Sequence, residues 1–238
     1  MIAAILFDKD GTLFDFNVSW SAWAQDFLAT LSGGDDGLAG RLGARIGFDW
    51  QAGRFRPDSC VIAGTDAEAA RALLPLLSGM TLNDLTTRIS RAAAKAPMAE
   101  AVPLVPFLDD LAARGLRFGV ATNDSEYAAR AHLRTAGIHD RFDFIVGADS
   151  GYGGKPAPGM CLAFALAVDV APQNILMVGD SLHDLHAGRA AGMRTAAVLT
   201  GMAGAAVLAP HADLVLPDIG ALARHLGPGN RLNTTGPA

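Results

Sequence analysis

The sequence predicts a doubly wound, mainly parallel α/β sheet that carries an inserted, mostly helical cap. Three observations predict it. From residue 102 onward, short apolar runs alternate with stretches of helical periodicity. The first apolar run, Ala3-Ala4-Ile5-Leu6-Phe7, stops directly at Asp8-Lys9-Asp10-Gly11-Thr12. Between residues 16 and 101 the alternation gives way to apolar residues recurring at every third and fourth position. Strand and helix in alternation imply right-handed crossovers and a sheet covered on both faces. The first strand must join that sheet, so residues 16–101 leave it and return, standing over the strand ends.

Residues 3–7 form the first strand, short and apolar enough to be buried on both faces. Asp8 and Asp10 then occupy alternate positions and point the same way in extended backbone, while Gly11 lets the chain turn sharply. Two acids facing one point suggest a divalent cation. The plain alternative is a turn that ends the strand through side-chain hydrogen bonds to the backbone. In the insertion, Trp20, Trp23, Ala24, Phe27 and Leu31 make one helical face. Residues 67–77 and 82–94 read as further helices, started by Thr65-Asp66 and by Thr81 or Asn83. Gly53-Arg54-Phe55-Arg56-Pro57-Asp58 breaks that period, and residues 59–62 read as a short strand in a loop or hairpin.

Helices then follow at 106–114, 126–136, 161–168 and 182–191, and strands at 116–121, 142–146, 175–178, 195–199 and 214–216. Gly227-Pro228-Gly229-Asn230 opens an expected frayed tail. The expected division is therefore 1–15 with 102–226 as core, 16–101 as cap and 227–238 as tail. A chain of 238 residues, half of them hydrophobic, can bury such a core without staples. Its net charge of −5 argues against a nucleic-acid surface. Cys60 and Cys161, far apart and without metal-type spacing, fit a reducing compartment. With no basic leader and no bilayer-length apolar run, a cytoplasmic protein without membrane contact is expected, as monomer or homodimer.

Three further polar clusters fall directly after strands: Thr122-Asn123-Asp124, Lys155 in a glycine-rich loop, and Gly179-Asp180-Ser181-Leu182-His183-Asp184. Each alone has an innocent reading as turn hydroxyl, solvated charge or helix cap. Together they would converge with Asp8 on one sheet edge, a set suited to phosphoryl transfer. A phosphate among carboxylates is repelled by roughly 4 kcal/mol per pair at about 4 Å, so something positive must intervene. Mg²⁺, an oxygen-seeking octahedral cation, matches Asp8 and Asp180 as ligands. Lys155 would neutralise remaining charge, and Thr122 with the backbone N–H groups from Asn123 onward would hold phosphate oxygens. Asp184, four residues past Asp180, faces the same side and could steady a metal-bound water or the lysine.

Asp8-Lys9-Asp10-Gly11-Thr12, Thr122-Asn123, Lys155-Pro156 and Gly179-Asp180-Ser181 to Asp184 resemble, in order and setting, the four motifs of the haloacid dehalogenase-like hydrolase superfamily. The likeness spans nearly the whole chain, and residues 16–101 resemble the helical cap of its phosphoglycolate-phosphatase-like branch. The resemblance implies a Rossmann-like core and Asp8 as the nucleophile that becomes an aspartyl-phosphate. It makes Asp10 the acid for the leaving oxygen and then the base for water. It also implies Mg²⁺ held by Asp8, the backbone carbonyl of Asp10, and Asp180. Dehalogenases of this fold lack the second acid, and transport ATPases carry Thr there. Asp10 therefore favours turnover to free phosphate by general acid–base work.

The expected activity is thus Mg-dependent hydrolysis of a small phosphorylated metabolite, phosphoglycolate-like acids being one candidate. An intramolecular sugar phosphomutase of the same fold is the alternative, although such mutases commonly place Val where this chain has Thr12. A signalling receiver domain is a third reading, against which the long insertion argues, and an inactive scaffold a fourth, against which the filled catalytic positions argue. Within the cap, Arg54 and Arg56, with Arg45 nearby, are candidates for gripping a substrate carboxylate or second phosphate. Phe16, Asn17, Trp20 and Trp23 could line the entrance, although the two tryptophans fit cap core better. His183 and His186 are expected as surface or supporting groups.

Overall fold

Each central strand is a short apolar run, and each is followed by a polar turn and a helix with one buried face. The computed structural model describes residues 1–233. In chain order the elements are β1 (Ala4–Phe7), α1 (Phe16–Leu31), α2 (Asp36–Arg45), β2 (Phe48–Asp49), β3 (Arg54–Phe55), α3 (Asp66–Leu73) and α4 (Leu82–Ala93). There follow α5 (Leu104–Ala113), β4 (Arg117–Ala121), α6 (Glu126–Thr135), β5 (Phe144–Val146), α7 (Gly159–Ala167), β6 (Ile175–Gly179) and α8 (Leu182–Ala190). The chain finishes with β7 (Arg194–Val198), α9 (Ala205–Leu208), β8 (Leu214–Leu216), α10 (Leu222–His225), β9 (Leu226–Gly227) and β10 (Arg231–Leu232).

Six strands form one parallel sheet in the order β5-β4-β1-β6-β7-β8. The chain builds outward from β1 in both directions, and β1 is therefore a switch point, beyond whose carboxyl end such sheets bind ligands. Phe7 lies opposite Val120 on one side and Val178 on the other, so Asp8, Thr122 and Asp180 leave the sheet within two residues of one level. One face packs Ile5, Phe7, Phe118, Val120, Leu108 and Leu133; the other packs Leu6, Met177, Met160 and Phe164.

The insertion buries its own cluster, including Phe16, Trp20, Trp23, Phe27, Leu42, Phe48, Phe55, Leu73 and Ile89. Two of its helices, α3 and α4, start where the sequence predicts. Thr65 and Glu68 form a reciprocal capping box on α3, as do Thr81 and Asp84 on α4. Its two ends lie side by side: the Asp15 N–H donates to the Ala99 carbonyl at 2.8 Å and the Ala101 N–H to that of Leu13 at 2.9 Å.

Three local expectations are corrected. Residues 59–62 are turn rather than strand, because the Ser59 hydroxyl accepts from the Val61 N–H and holds the Ile46 carbonyl; the hairpin is instead β2–β3. The helix α2 was not expected at all. Finally, the Gly227–Asn230 turn does not start a frayed end but reverses β9 into β10, with Gly229 and Asn230 at positive φ. The Ile2 N–H donates to the Asn230 carbonyl at 2.8 Å, tying that turn to the start of the chain. The rest of the expected tail, 234–238, lies outside the described residues.

Candidate active site

Four strand ends supply the site. Asp8 follows β1, Thr122 follows β4, Lys155 lies in the loop between β5 and α7, and Asp180 follows β6. Asp8, Thr122, Lys155, Asp180 and Asp184 are all buried. They line one cavity together with Asp10, Asn123, Ser181 and His183, closed from the insertion by Phe16, Trp20, Trp23, Val61, Ile62, Asp66 and Ile89. The expected convergence is therefore present.

Lys155 is the electrostatic centre. Its ammonium donates to Asp8 Oδ1 at 2.5 Å, Asp184 Oδ1 at 2.6 Å and the Ala121 carbonyl at 2.7 Å, which uses all three N–H bonds. Burial opposes its charge, but Asp184 and Asp8 outweigh that and hold it above the usual lysine range. Asp184 also caps α8: its other oxygen accepts from the Ser181 N–H and hydroxyl at 3.0 and 2.6 Å. It thus steadies the lysine, one of the two roles the sequence suggested.

The acids are under-compensated. Asp8, Asp180 and Asp184 offer carboxylate oxygens within 4.8 Å of one another, facing a single ammonium. Burial, reinforced by Asp184 and Asp10 against the pull of Lys155, pushes Asp8 up to about 7. Burial, then Asp8 and Asp184, raises Asp180 well above the carboxylate range. Three buried oxygen donors and an unbalanced negative charge fit a hard divalent cation such as Mg²⁺. The backbone makes room for the Asp180 carboxylate: a Cβ on Gly11 or on Gly201 would overlap it.

Asp10 is held from two sides. Its Oδ1 accepts from Lys9 Nζ at 2.7 Å and from Trp20 Nε1 at 2.9 Å. Lys9, wholly buried, also lies 3.2 Å from Asp124 and 3.1 Å from His132 Nδ1. The Asn123 amide is a clamp: it donates to the Ala63 and Lys155 carbonyls at 2.7 and 2.9 Å and accepts from the Lys155 N–H at 2.8 Å. Only its main chain is left for a phosphate. The Thr122 hydroxyl accepts from the Asp124 N–H at 3.1 Å and can still donate into the cavity.

Arg54 and Arg56 are not brought to the cavity. Both are exposed on the β2–β3 side of the insertion, where Arg56 pairs with Asp58 at 3.2 Å; Arg45 bonds the Ala72 carbonyl. Trp20 and Trp23 do both things considered for them, packing in the insertion's core and lining the cavity. His183 lines the cavity, and His186 meets His211 at 3.3 Å. Sequence reading missed Lys9 and Trp20 as partners of Asp10, His132 and Asp124 as the groups that hold Lys9, and Asp66 as a wall residue. Lys9 alone carried a signal, being a lysine inside a buried acidic turn.

Residues 2–192 match the family model of the haloacid dehalogenase-like hydrolases. The chain is 31% identical over 197 residues to a phosphoglycolate phosphatase of Xylella fastidiosa, covering 83% of this chain and 80% of that one. It is 27% identical over 210 residues to an N-acetylmuramic acid 6-phosphate phosphatase of Pseudomonas putida, covering 84% of each. In structure it resembles CbbY from Rhodobacter sphaeroides in complex with phosphate, with a TM-score of 0.67 over 93% of this chain and 96% of that one, at 22% identity. The chain belongs to the haloacid dehalogenase-like hydrolase family.

Proposed function

We propose that this phosphatase hydrolyses a small phosphomonoester in an Mg²⁺-dependent reaction through a phosphorylated Asp8. The observation that carries the reading is a buried carboxylate, Asp8, hydrogen-bonded to Lys155 with a second acid, Asp10, two residues on in the same cavity. Asp8 Oδ attacks phosphorus and the bond to the leaving oxygen breaks, while Asp10 gives that oxygen its proton. Asp10 then takes a proton from water, whose oxygen attacks the acyl-phosphate phosphorus and releases phosphate and Asp8. Lys155 and the Thr122 hydroxyl with the adjacent N–H groups balance charge on the phosphoryl oxygens.

Asp8, Asp180 and the Asp10 carbonyl would hold Mg²⁺, which supplies the positive charge that lets a phosphate approach three carboxylates. Residues 16–101 act as the cap that excludes water, with Trp20 and Trp23 as the cavity's roof. The Xylella relative's name supports phosphoglycolate as one candidate substrate.

Turnover of p-nitrophenyl phosphate tests the roles. EDTA should abolish it and Mg²⁺ restore it, and Asp8→Asn and Asp10→Asn should each lose about a thousandfold or more. Undiminished activity in either variant sinks the assignment. One phosphate released per alcohol formed separates hydrolysis from a mutase.

A further inference from the structure

The half of the cavity that faces the leaving group is acidic and contains no arginine among the described residues. Six carboxylates line the cavity, from Asp8, Asp10, Asp66, Asp124, Asp180 and Asp184, and Lys155 is the one ammonium among the lining residues. Lys155 is fully used on Asp8, Asp184 and a carbonyl, on the phosphate side. On the opposite side Lys9, itself buried behind the wall, has Asp10 and Asp124 to satisfy. Asp66 has no positive partner within salt-bridge range among the described residues.

One oxygen there lacks any donor among the described residues: Asp66 Oδ2 is shielded from solvent and unpartnered, whereas Asp124 Oδ2 is ion-paired with Lys9 Nζ at 3.2 Å. The Asp124 side chain is 6% exposed and lines the cavity. Asp66 opens α3, where an acid gains from the helix dipole without further purpose. That explanation would leave its oxygens in water, and Glu68 already closes the capping box. Burial, then the charge of Asp124, pushes Asp66 up to about 8, so the group is short of positive charge. The free space, about 60 Å³, has room for on the order of five waters, hence for a phosphoryl group with a short leaving group. Buried, unpaired acceptors reject a ligand that brings none of the missing donors far more strongly than a misfitting apolar wall does.

We propose that Asp66 reads the leaving group, and that the substrate is a small phosphomonoester whose leaving group presents a hydroxyl or a protonated amine and no carboxylate. The proposal rests on the phosphatase reading above and narrows it. The donor sits against Asp66 and Asp124, and the carbon chain against Trp20, Trp23 and Ile89.

Three phosphate esters with the same two-carbon skeleton test it: 2-hydroxyethyl phosphate, ethanolamine phosphate and phosphoglycolate, ending in hydroxyl, ammonium and carboxylate. With Mg²⁺, kcat/KM for the better of the first two should exceed that for phosphoglycolate by about tenfold or more. Asp66→Asn, an isosteric change, should lower the ethanolamine ester and raise phosphoglycolate, mainly through KM. Asp66→Lys should put phosphoglycolate first. These are ratios within one preparation, so partial misfolding does not move them. Preference of the parent enzyme for phosphoglycolate, or equal scaling of all three esters by Asp66→Asn, overturns the proposal and leaves the phosphatase reading standing. No turnover of any ester by the parent overturns both.

Discussion

Lys9 has no lone pair to offer, so its 3.1 Å contact with His132 requires Nδ1 of that ring to accept. The ring proton is then on Nε2, which donates to the Ala93 carbonyl at 2.8 Å. Burial and the Lys9 charge draw His132 down to about 4, from 6.5 when unfolded. A group with a depressed folded value contributes stability that is complete above 6.5 and is lost as pH falls toward 4. The loss amounts to about 3 kcal/mol across that window. Melting temperature should therefore fall more steeply between pH 7 and 4.5 in the parent than in His132→Gln; parallel curves would contradict the neutral tautomer. Asp8, Asp10, Thr122, Lys155 and Asp180 were legible in the sequence because each follows a strand, and strand ends converge by topology alone; Asp184, inside α8, was legible from its spacing four residues past Asp180. The bond from Trp20 to Asp10 was not legible, since it depends on how α1 docks. Arg54 and Arg56 misled because a loop that breaks helical period is as readily a solvent-facing hairpin as a substrate loop.

The loop after β7 shows how an element without a catalytic side chain can govern a site. Thr200 donates its hydroxyl to the Gly11 carbonyl at 2.6 Å, and Gly201 then passes against the Asp180 carboxylate with no space for a Cβ. Gly201→Ala should weaken Mg²⁺ about tenfold or more in a titration of turnover while the far-ultraviolet spectrum stays unchanged. Unaltered metal dependence would place the ion away from Asp180. At this scale the alternation of strands and helices from residue 102 onward was plain, because parallel strands read as apolar runs and helices carry their own caps. The helix α2 was hidden by Gly37, Gly40 and Gly43, which lower helix propensity although Asp35 caps it. Val61 and Ile62 imitated a strand because they are apolar for another reason: they face the cavity.

Across the whole molecule, the cavity exists only where the helical segment meets the sheet. Trp20 and Trp23 line it, while Trp50, the third tryptophan, stands outside. Inorganic phosphate added with Mg²⁺ should therefore give a saturable change in tryptophan emission, reduced in Trp20→Phe. A flat response would mean that product does not reach the roof. Contacts across this boundary, such as the Asn123 amide to the Ala63 carbonyl and the Ser90 hydroxyl to that of Ser125, were beyond sequence reading because they join residues 60 and 35 positions apart.

The paired backbone at Asp15 and Ala99 has a consequence of its own. A segment of more than eighty residues departs and returns through neighbouring hydrogen bonds, so its two ends occupy scarcely more room than a hairpin turn. Whatever is spliced between those ends, long or short, the sheet keeps its register. On the proposed reading, such chains can exchange the segment that stands over the site while keeping the sheet that supplies Asp8, Thr122, Lys155 and Asp180.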